Sequence, residues 1–271
     1  MKRRSLGQHY LVDPKVIRRI VELAEIRPTD RVLEIGTGKG ALTRELAGLG
    51  AGFDGYEVDR RNYEETLAAV REKEVNINLG DAFEQRPSFD VLVSSLPYSE
   101  SARFIGWLGA ADFERAIVVL QEDFVRKITA RPGARDYRGI SALAQIAFDI
   151  RVQEKVNRKS FSPQPRVNSV IVLLTPKALV SEAEAANVMR LFSLRRRQVD
   201  SALTELGMEG AGDHGQRRVY SLTPEQVHEL CCSPGQPRGL YHPSIKDACV
   251  TSRSLSHTGS TEGSSQRRPS R

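Results

Sequence analysis

The sequence predicts an α/β fold, a mostly parallel sheet flanked by helices, followed by a small helical domain at its C-terminal end. Three observations carry that expectation. Over the first 175 residues, short apolar runs rich in Val, Ile and Leu alternate with stretches of helical period, the pattern of successive βαβ units. The first such run leads into Gly36-Thr37-Gly38-Lys39-Gly40, and glycines at a strand-to-helix turn let a ligand approach the backbone. Past Pro176 the strand-like runs stop and only helical spacing remains.

The elements follow in order. Val16, Ile17, Ile20, Val21, Leu23 and Ala24 recur at helical spacing and stop at Pro28 and Asp30, so a helix precedes a buried strand over 31–35. Further helices are expected over 41–49, 63–72 and 101–108, and strands over 52–58, 75–79, 89–94 and 116–120. Phe161-Ser162-Pro163-Gln164-Pro165 reads as a rigid turn, because each proline fixes its own φ and restricts the residue before it. A β-branched strand over 169–174 closes this part near Pro176. Val188, Leu191, Phe192, Val199, Ala202 and Leu203 form one apolar stripe, which predicts helix across 181–206. Thr223 as N-cap and Pro224 in the first turn open another helix through Leu230. The expected division is residues 1–177, residues 178–233 and a tail over 234–271. That tail is expected to be flexible: Leu255 is the one large aliphatic residue between 251 and 271, too little burial to offset the entropy of ordering.

Composition excludes several classes. With 271 residues, 39% of them hydrophobic and 27% charged, the chain is not collagen-like, a disulfide scaffold or disordered over most of its length. The formal charge of +6 says little as a total, but it is unevenly spread: +4 over residues 1–31, −5 over 32–150 and +6 over 151–203. An acidic body between basic flanks predicts a platform for a polyanion. Of the three cysteines, Cys231 and Cys232 are adjacent and Cys249 stands apart, which gives neither metal-ligand spacing nor a disulfide framework. A reducing, cytoplasmic setting and no metal are expected. No apolar run has the length of a signal peptide core or a membrane span, so a monomer working away from membranes is expected.

Polar residues at consecutive strand ends define the candidate site. Glu34-Ile35-Gly36-Thr37-Gly38-Lys39-Gly40-Ala41 also matches the G-x-G-x-x-[G/A] pattern of dinucleotide sites. Glu57 ends the next strand about 20 residues on, where an acid accepts hydrogen bonds from ribose hydroxyls. Asp81, in Gly80-Asp81-Ala82, ends the third and is placed to accept from an exocyclic amine. Together these predict an adenosine-containing ligand, with an NAD-type oxidoreductase as a competing reading. At the fourth strand end, Ser94-Ser95-Leu96-Pro97-Tyr98 brings a hydroxyl, backbone carbonyls and an aromatic ring together.

That last segment resembles motif IV, [D/N/S]-[P/L/I]-P-[Y/F], of methyltransferases that act on exocyclic amines of bases. With Gly7-Gln8-His9-Tyr10-Leu11 before it and Phe161-Ser162-Pro163-Gln164-Pro165-Arg166-Val167-Asn168-Ser169 after it, the chain from Gly7 to Leu230 resembles the ribosomal RNA adenine N6,N6-dimethyltransferase family. The resemblance implies a Rossmann-like methyltransferase domain that uses S-adenosyl-L-methionine. It implies dimethylation of adenine N6 on adjacent adenosines of small-subunit ribosomal RNA, with a small-subunit precursor as partner in ribosome biogenesis. The large-subunit sibling family shares every one of these motifs. Carried over residue by residue, cofactor contacts fall to Gln8, His9, Leu11, Glu34, Gly36, Gly38, Gly40, Glu57, Asp81, Ala82 and Ser95. Catalysis falls to Ser95, Leu96, Pro97, Tyr98 and Phe161. Phe192-Ser193-Leu194-Arg195-Arg196-Arg197 is similar to the family's F-x-x-R-R-K segment, which implies RNA binding by Arg195, Arg196 and Arg197 on the first helix of the appendix. Lys2, Arg3 and Arg4, and Lys127, Arg131, Arg135 and Arg138 in a following loop, extend that basic surface.

The chemistry accounts for these residue types independently. An adenine N6 lone pair is delocalised into the ring, so a site must accept both amino hydrogens to make the nitrogen pyramidal and nucleophilic. The Ser95 hydroxyl and the carbonyl of Leu96 or Pro97 are suited to that, and Tyr98 and Phe161 to stacking on an extruded base. Where the family usually has Asn, this chain has Ser95, a shorter acceptor with a proton of its own. That departure raises a competing expectation: an assembly factor that keeps the pocket and the basic platform with weakened catalysis.

Overall fold

The computed structural model describes residues 8–208, 210 and 212–231. Lys2, Arg3, Arg4, Gly7, Cys232, Cys249 and the expected tail lie outside them.

The chain runs through β1 (Tyr10–Leu11), α1 (Pro14–Ala24), β2 (Arg31–Ile35), α2 (Ala41–Leu46), β3 (Gly52–Glu57), α3 (Arg60–Ala69), β4 (Asn76–Leu79), α4 (Ala82–Gln85) and β5 (Val91–Ser94). It continues through α5 (Ser101–Gly109), β6 (Arg115–Gln121), α6 (Glu122–Ile128), α7 (Gly139–Ala147), β7 (Phe148–Val156), β8 (Phe161–Ser162) and β9 (Ser169–Pro176). Three helices finish it: α8 (Glu182–Ser193), α9 (Val199–Leu206) and α10 (Pro224–Cys231). Local chemistry sets the ends. Asp13 caps α1 by accepting from the Lys15 amide, with Pro14 in the first turn, and Glu25 closes it in the left-handed region at φ 46°. Ser181 and Glu184 form a reciprocal capping box on α8, and Thr223 Oγ1 accepts from the Gln226 amide at the start of α10.

Seven strands form one sheet in the order β4-β3-β2-β5-β6-β9-β7. The first five run parallel; β9 and β7 are antiparallel additions at one edge. The expected mostly parallel α/β sheet is what the chain builds. Central strands are apolar on both faces because both are covered. Val32, Val91, Val93, Ile117 and Val119 face α1 and α2, while Leu33, Leu92, Ala116, Val118 and Leu120 face α5 and α7.

Two stretches differ from the sequence expectation. Between Gln121 and Ser160, where the sequence marks only a loop carrying Lys127, Arg131, Arg135 and Arg138, the chain also holds α6, α7 and β7. α7 is apolar around its circumference and sealed in the core, so no polar face reveals its period. β7 is an edge strand with Asp149, Arg151, Glu154 and Lys155 exposed, so its sequence looks polar. Finally, helix does not run on from 181 to 206. It stops at Ser193, turns over residues 194–198 and restarts at Val199, which lets Phe192 and Val199 both enter the core. That core is shared: Val188, Leu191, Ala202, Leu203, Val227 and Leu230 pack into the same apolar cluster as the sheet face beneath α5 and α7.

Candidate active site

The strand order fixes where the site lies. β3 and β4 lie to one side of β2, and β5 and β6 to the other, so the direction of winding reverses between β2 and β5. Ligands in open α/β sheets bind outside the carboxyl ends of the strands at such a reversal. Ile35 and Ser94 are register partners, so the glycine loop after β2 and Ser95-Leu96-Pro97 after β5 leave the sheet side by side. A cavity of about 280 Å³ opens between them.

The glycine loop is held by the protein itself. Gly36 and Thr37 donate their amides to the Tyr56 carbonyl at 2.8 and 3.2 Å, Gly38 donates to Glu57 Oε2 at 2.8 Å, and Gly40 donates to the Thr37 carbonyl at 2.9 Å. Those four donors are spent within the protein, so the amides of Gly36, Thr37, Gly38 and Gly40 do not cradle a phosphate. The loop does bring the chain close to a ligand: Gly36 has φ +77°, and a Cβ there would project into open space. Gly40, expected to touch the cofactor, does not line the cavity. Its φ of +75° caps α2, and a Cβ would meet Ala69 Cβ at 3.2 Å, so it serves the packing of α2 on α3.

Four carboxyl side chains line the cavity: Glu34, Glu57, Asp81 and Glu100. Glu57, 4% exposed, also accepts from the Asp59 amide at 2.9 Å. Burial raises its pKa, against the pull of those amides. Asp81 caps α4 through Phe83 N at 2.9 Å and accepts from Arg103 Nη1 at 2.7 Å, while the Arg103 guanidinium lies 4.6 Å from the centre of the Phe83 ring. Glu34 is 1% exposed and accepts from Thr43 Oγ1 at 2.7 Å. Burial, with repulsion from Glu57, pushes its pKa up to about 8. Its folded pKa lies above its ordinary 4.5, so the stability it contributes is full below that value and is lost as pH rises through about 8. Glu34→Gln is therefore expected to flatten the dependence of Tm on pH between 4.5 and 8, read by thermal melts; an unchanged slope would refute this assignment.

The N-terminal arm crosses this cavity. β1 pairs antiparallel with β8, Tyr10 opposite Ser162 and Leu11 opposite Phe161, and Ser160 Oγ donates to Asp13 Oδ2 at 2.9 Å. Tyr10 Oη donates to Gln8 Oε1 at 2.7 Å and sits 3.1 Å from Asn62 Oδ1. Asn62 is 3% exposed, and among the described residues nothing accepts from its Nδ2. His9 Nδ1 donates to the Pro163 carbonyl at 2.7 Å, and its ring centre lies 5.7 Å from that of Tyr98.

Of the expected cofactor and catalytic residues, Gln8, His9, Leu11, Glu34, Gly36, Gly38, Glu57, Asp81, Ala82, Ser95, Leu96 and Pro97 line this cavity. Tyr98 stands just outside it, half-buried, with Oη 2.7 Å from Ser169 Oγ. Burial raises its phenol pKa, so it stays protonated. Phe161 departs from expectation: its ring is 4% exposed and packs in the apolar cluster with Leu11 and Ile17, and the aromatic neighbour of Tyr98 is His9 instead. Pro97 O already accepts from the Glu100 amide at 3.0 Å, whereas neither Leu96 O nor Ser95 Oγ has a partner among the described residues. Tyr56, Asn62, Phe83 and Arg103 also line the cavity and escaped the sequence reading.

The arginine segment is not on a helix. Arg195, Arg196 and Arg197 occupy the turn between α8 and α9, because the chain leaves helical geometry at Leu194. Arg197 pairs with Glu205 at 3.0 Å; Arg195 and Arg196 have no acidic partner among the described residues. Lys127 lies on α6.

This donor set fits S-adenosyl-L-methionine. Acidic acceptors suit ribose hydroxyls, an exocyclic amine and the cationic methionine end, and the orphan Asn62 Nδ2 adds a donor. A pyrophosphate would face Glu57, Asp81 and Glu100 and a loop with four of its amides already bonded, which counts against the NAD reading. Among the described residues no helix is long and apolar enough to cross a membrane, and no three His, Cys, Asp or Glu side chains are placed to hold a metal ion.

Comparison with known proteins follows the same lines. A sequence profile described as ribosomal RNA adenine dimethylase matches residues 1–228. A protein of Pyrococcus abyssi named as a probable ribosomal RNA small subunit methyltransferase A is 37% identical over 239 residues, covering 83% of this chain and 89% of its own. The Thermotoga neapolitana protein named ribosomal RNA small subunit methyltransferase A is 31% identical over 238 residues, covering 84% and 90%. Among solved structures, a dimethyladenosine transferase from Plasmodium falciparum shares the fold with a TM-score of 0.70, at 24% identity over 82% of this chain and 96% of that one. The 23S rRNA methyltransferase ErmE gives a TM-score of 0.60 and 29% identity, covering 82% and 99%.

Proposed function

The chain belongs to the ribosomal RNA adenine dimethylase family, and from that premise we propose that it uses S-adenosyl-L-methionine to dimethylate adenine N6 on adjacent adenosines of small-subunit ribosomal RNA, in ribosome biogenesis. One observation carries the chemistry: Ser95 Oγ and Leu96 O, both without a partner among the described residues, stand at the end of β5 beside the glycine loop at the end of β2. When bound, the cofactor supplies an electrophilic methyl group on a sulfonium. Glu57 would accept from its ribose hydroxyls and Asp81 from its adenine amine, while Glu34, largely protonated near neutral pH, would sit by its methionine end. Ser95 Oγ and Leu96 O accept the two hydrogens of the target amine and turn its lone pair toward the cavity. The Pro97 carbonyl is left to hold the turn. Tyr98 stacks on the extruded base. No strong base is needed, since the methylated ring amine loses its proton to water.

Residues 1–177 serve as the catalytic unit and 178–233 as the RNA-facing helical unit. We propose further that it acts as a monomer on a small-subunit precursor in the cytoplasm. The names of the curated relatives support the small-subunit substrate.

The test is transfer of labelled methyl from S-adenosyl-L-methionine to 30S particles lacking the modification, with 50S particles in parallel. Transfer to 30S is expected; transfer to 50S alone would move the substrate to the large subunit, and background on both would refute the enzyme. Ser95→Ala should slow transfer about tenfold, the equivalent of one lost hydrogen bond to a reacting group, while Ser95→Asn should stay within a few-fold of the parent. A rise from near zero in Ser95→Asn would favour the assembly-factor reading instead.

A further inference from the structure

Stacking on Tyr98 alone fixes the plane of a target base but lets the base slide and tip. A second wall is what would hold its amine in line with Ser95 Oγ and Leu96 O. Phe161, the aromatic ring offered by the turn over 161–165, cannot supply that wall: it is 4% exposed, with its faces packed among Leu11, Ile17 and their neighbours.

His9 stands where that wall is missing. β1 sets Tyr10 opposite Ser162, so His9, one residue earlier in an antiparallel ladder, comes level with Pro163, and its Nδ1 donates to the Pro163 carbonyl at 2.7 Å. A carbonyl only accepts, so the hydrogen sits on Nδ1 and the ring is anchored by one edge. Tyr98 is anchored by an edge as well, through Oη 2.7 Å from Ser169 Oγ. Both tethers act in the plane of the ring and leave the faces unclaimed. The two ring centres lie 5.7 Å apart with their planes inclined at 34°, and His9 shares the cavity wall with Ser95, Leu96 and Pro97. A base between two rings needs about 7 Å, two carbon contacts of roughly 3.5 Å each, so one ring must give way by about 1 Å. Tyr98 is tied to β9 in the main sheet, whereas His9 precedes a two-residue ribbon, which makes His9 the ring that moves.

We propose that His9 is the second wall of the target-base slot, so that the extruded adenine stacks between Tyr98 and His9. This rests on the adenine N6 methylation proposed above, and it gives a contact with the substrate base to a residue whose expected role is a contact with the cofactor.

Two substitutions separate the ring from its tether. His9→Asn keeps an N–H for the Pro163 carbonyl and has no aromatic face; His9→Phe keeps a face and has no N–H. The probes are two fluorescein-labelled uridine hexamers, one with a central adenosine and one with a central abasic site, titrated by anisotropy into the full chain saturated with S-adenosyl-L-homocysteine. The ratio of the two affinities isolates what the base contributes. The parent should prefer the adenosine probe by about tenfold or more. His9→Asn should cut that ratio about 5- to 10-fold and leave affinity for the abasic probe alone, while His9→Phe should keep the ratio within about twofold of the parent. Thermal melts check that both variants fold. An unchanged ratio in His9→Asn overturns the wall, and so does a parent that binds the two probes alike. An equal loss in His9→Phe and His9→Asn also overturns it and leaves His9 only as a tether for the arm. Absence of methyl transfer to 30S particles, with the ratio and its response to His9→Asn intact, would strike the proposed reaction and leave the slot standing.

Discussion

Tyr98→Ala is expected to lower methyl transfer to 30S particles by about 10- to 100-fold while S-adenosyl-L-methionine still binds. The ring stands outside the cofactor cavity, so the cofactor loses no contact. What disappears is a half-buried aromatic face, fixed by the 2.7 Å contact of its Oη with Ser169, next to the Ser95 and Leu96 acceptors. Base stacking on one aromatic side chain contributes about 1–3 kcal/mol, and a base free to tilt also loses its alignment with the two acceptors. Tyr98→Phe separates the two contributions: it keeps the face and drops the hydroxyl, and should retain most activity. Single-turnover transfer with calorimetric binding reads both quantities. Equal activity in Tyr98→Ala and the parent would remove Tyr98 from the site.

Gly36→Val should abolish detectable cofactor binding and lower stability by roughly 1–2 kcal/mol. The stability loss comes from forcing a β-branched residue to φ +77°, a conformation that puts Cβ against the following carbonyl. The binding loss comes from direction: Cβ would enter the open space beside Glu57 and Asp81 rather than a neighbouring side chain. Gly40→Ala supplies the contrast. It is also strained, but its Cβ meets Ala69, so it should destabilise the fold and spare affinity in the fraction that remains folded. Calorimetric titration with S-adenosyl-L-methionine and thermal melts decide between these outcomes. Retained affinity in Gly36→Val would show that the ligand does not pass this loop.

The legible parts of the site are those a single strand end can announce. Gly36, Glu57, Asp81 and Ser95 each follow a short apolar run, and a parallel sheet brings such ends to one edge whatever the loops between them do. Residues that arrive by tertiary contact left no such trace. Arg103 reaches Asp81 from α5, and Asn62 meets Tyr10 across 52 residues. Sequence also misjudged what the core would take. Phe161 looked like a free aromatic in a proline-rich turn, yet its β8 pairing with β1 turns it into the cluster beneath Leu11. The arginine triplet looked helical because the apolar stripe continues on both sides. A stripe reports which residues are buried; it does not report that the chain turned between Phe192 and Val199 to bury them.

The two-residue ribbon that ties Tyr10 and Leu11 to Phe161 and Ser162 has a consequence in time. A ribosome delivers the N-terminal arm first and its strand partner some 150 residues later. Until then β2 to β5 can pair, with the glycine loop, Glu57 and Asp81 already in place, while the arm that crosses them has nothing to dock on. The cofactor cavity therefore acquires its cover as a late step of synthesis, after the half of the sheet that forms its floor. Closing so long a loop for two residue pairs is worthwhile only once the surrounding core exists to fix both ends.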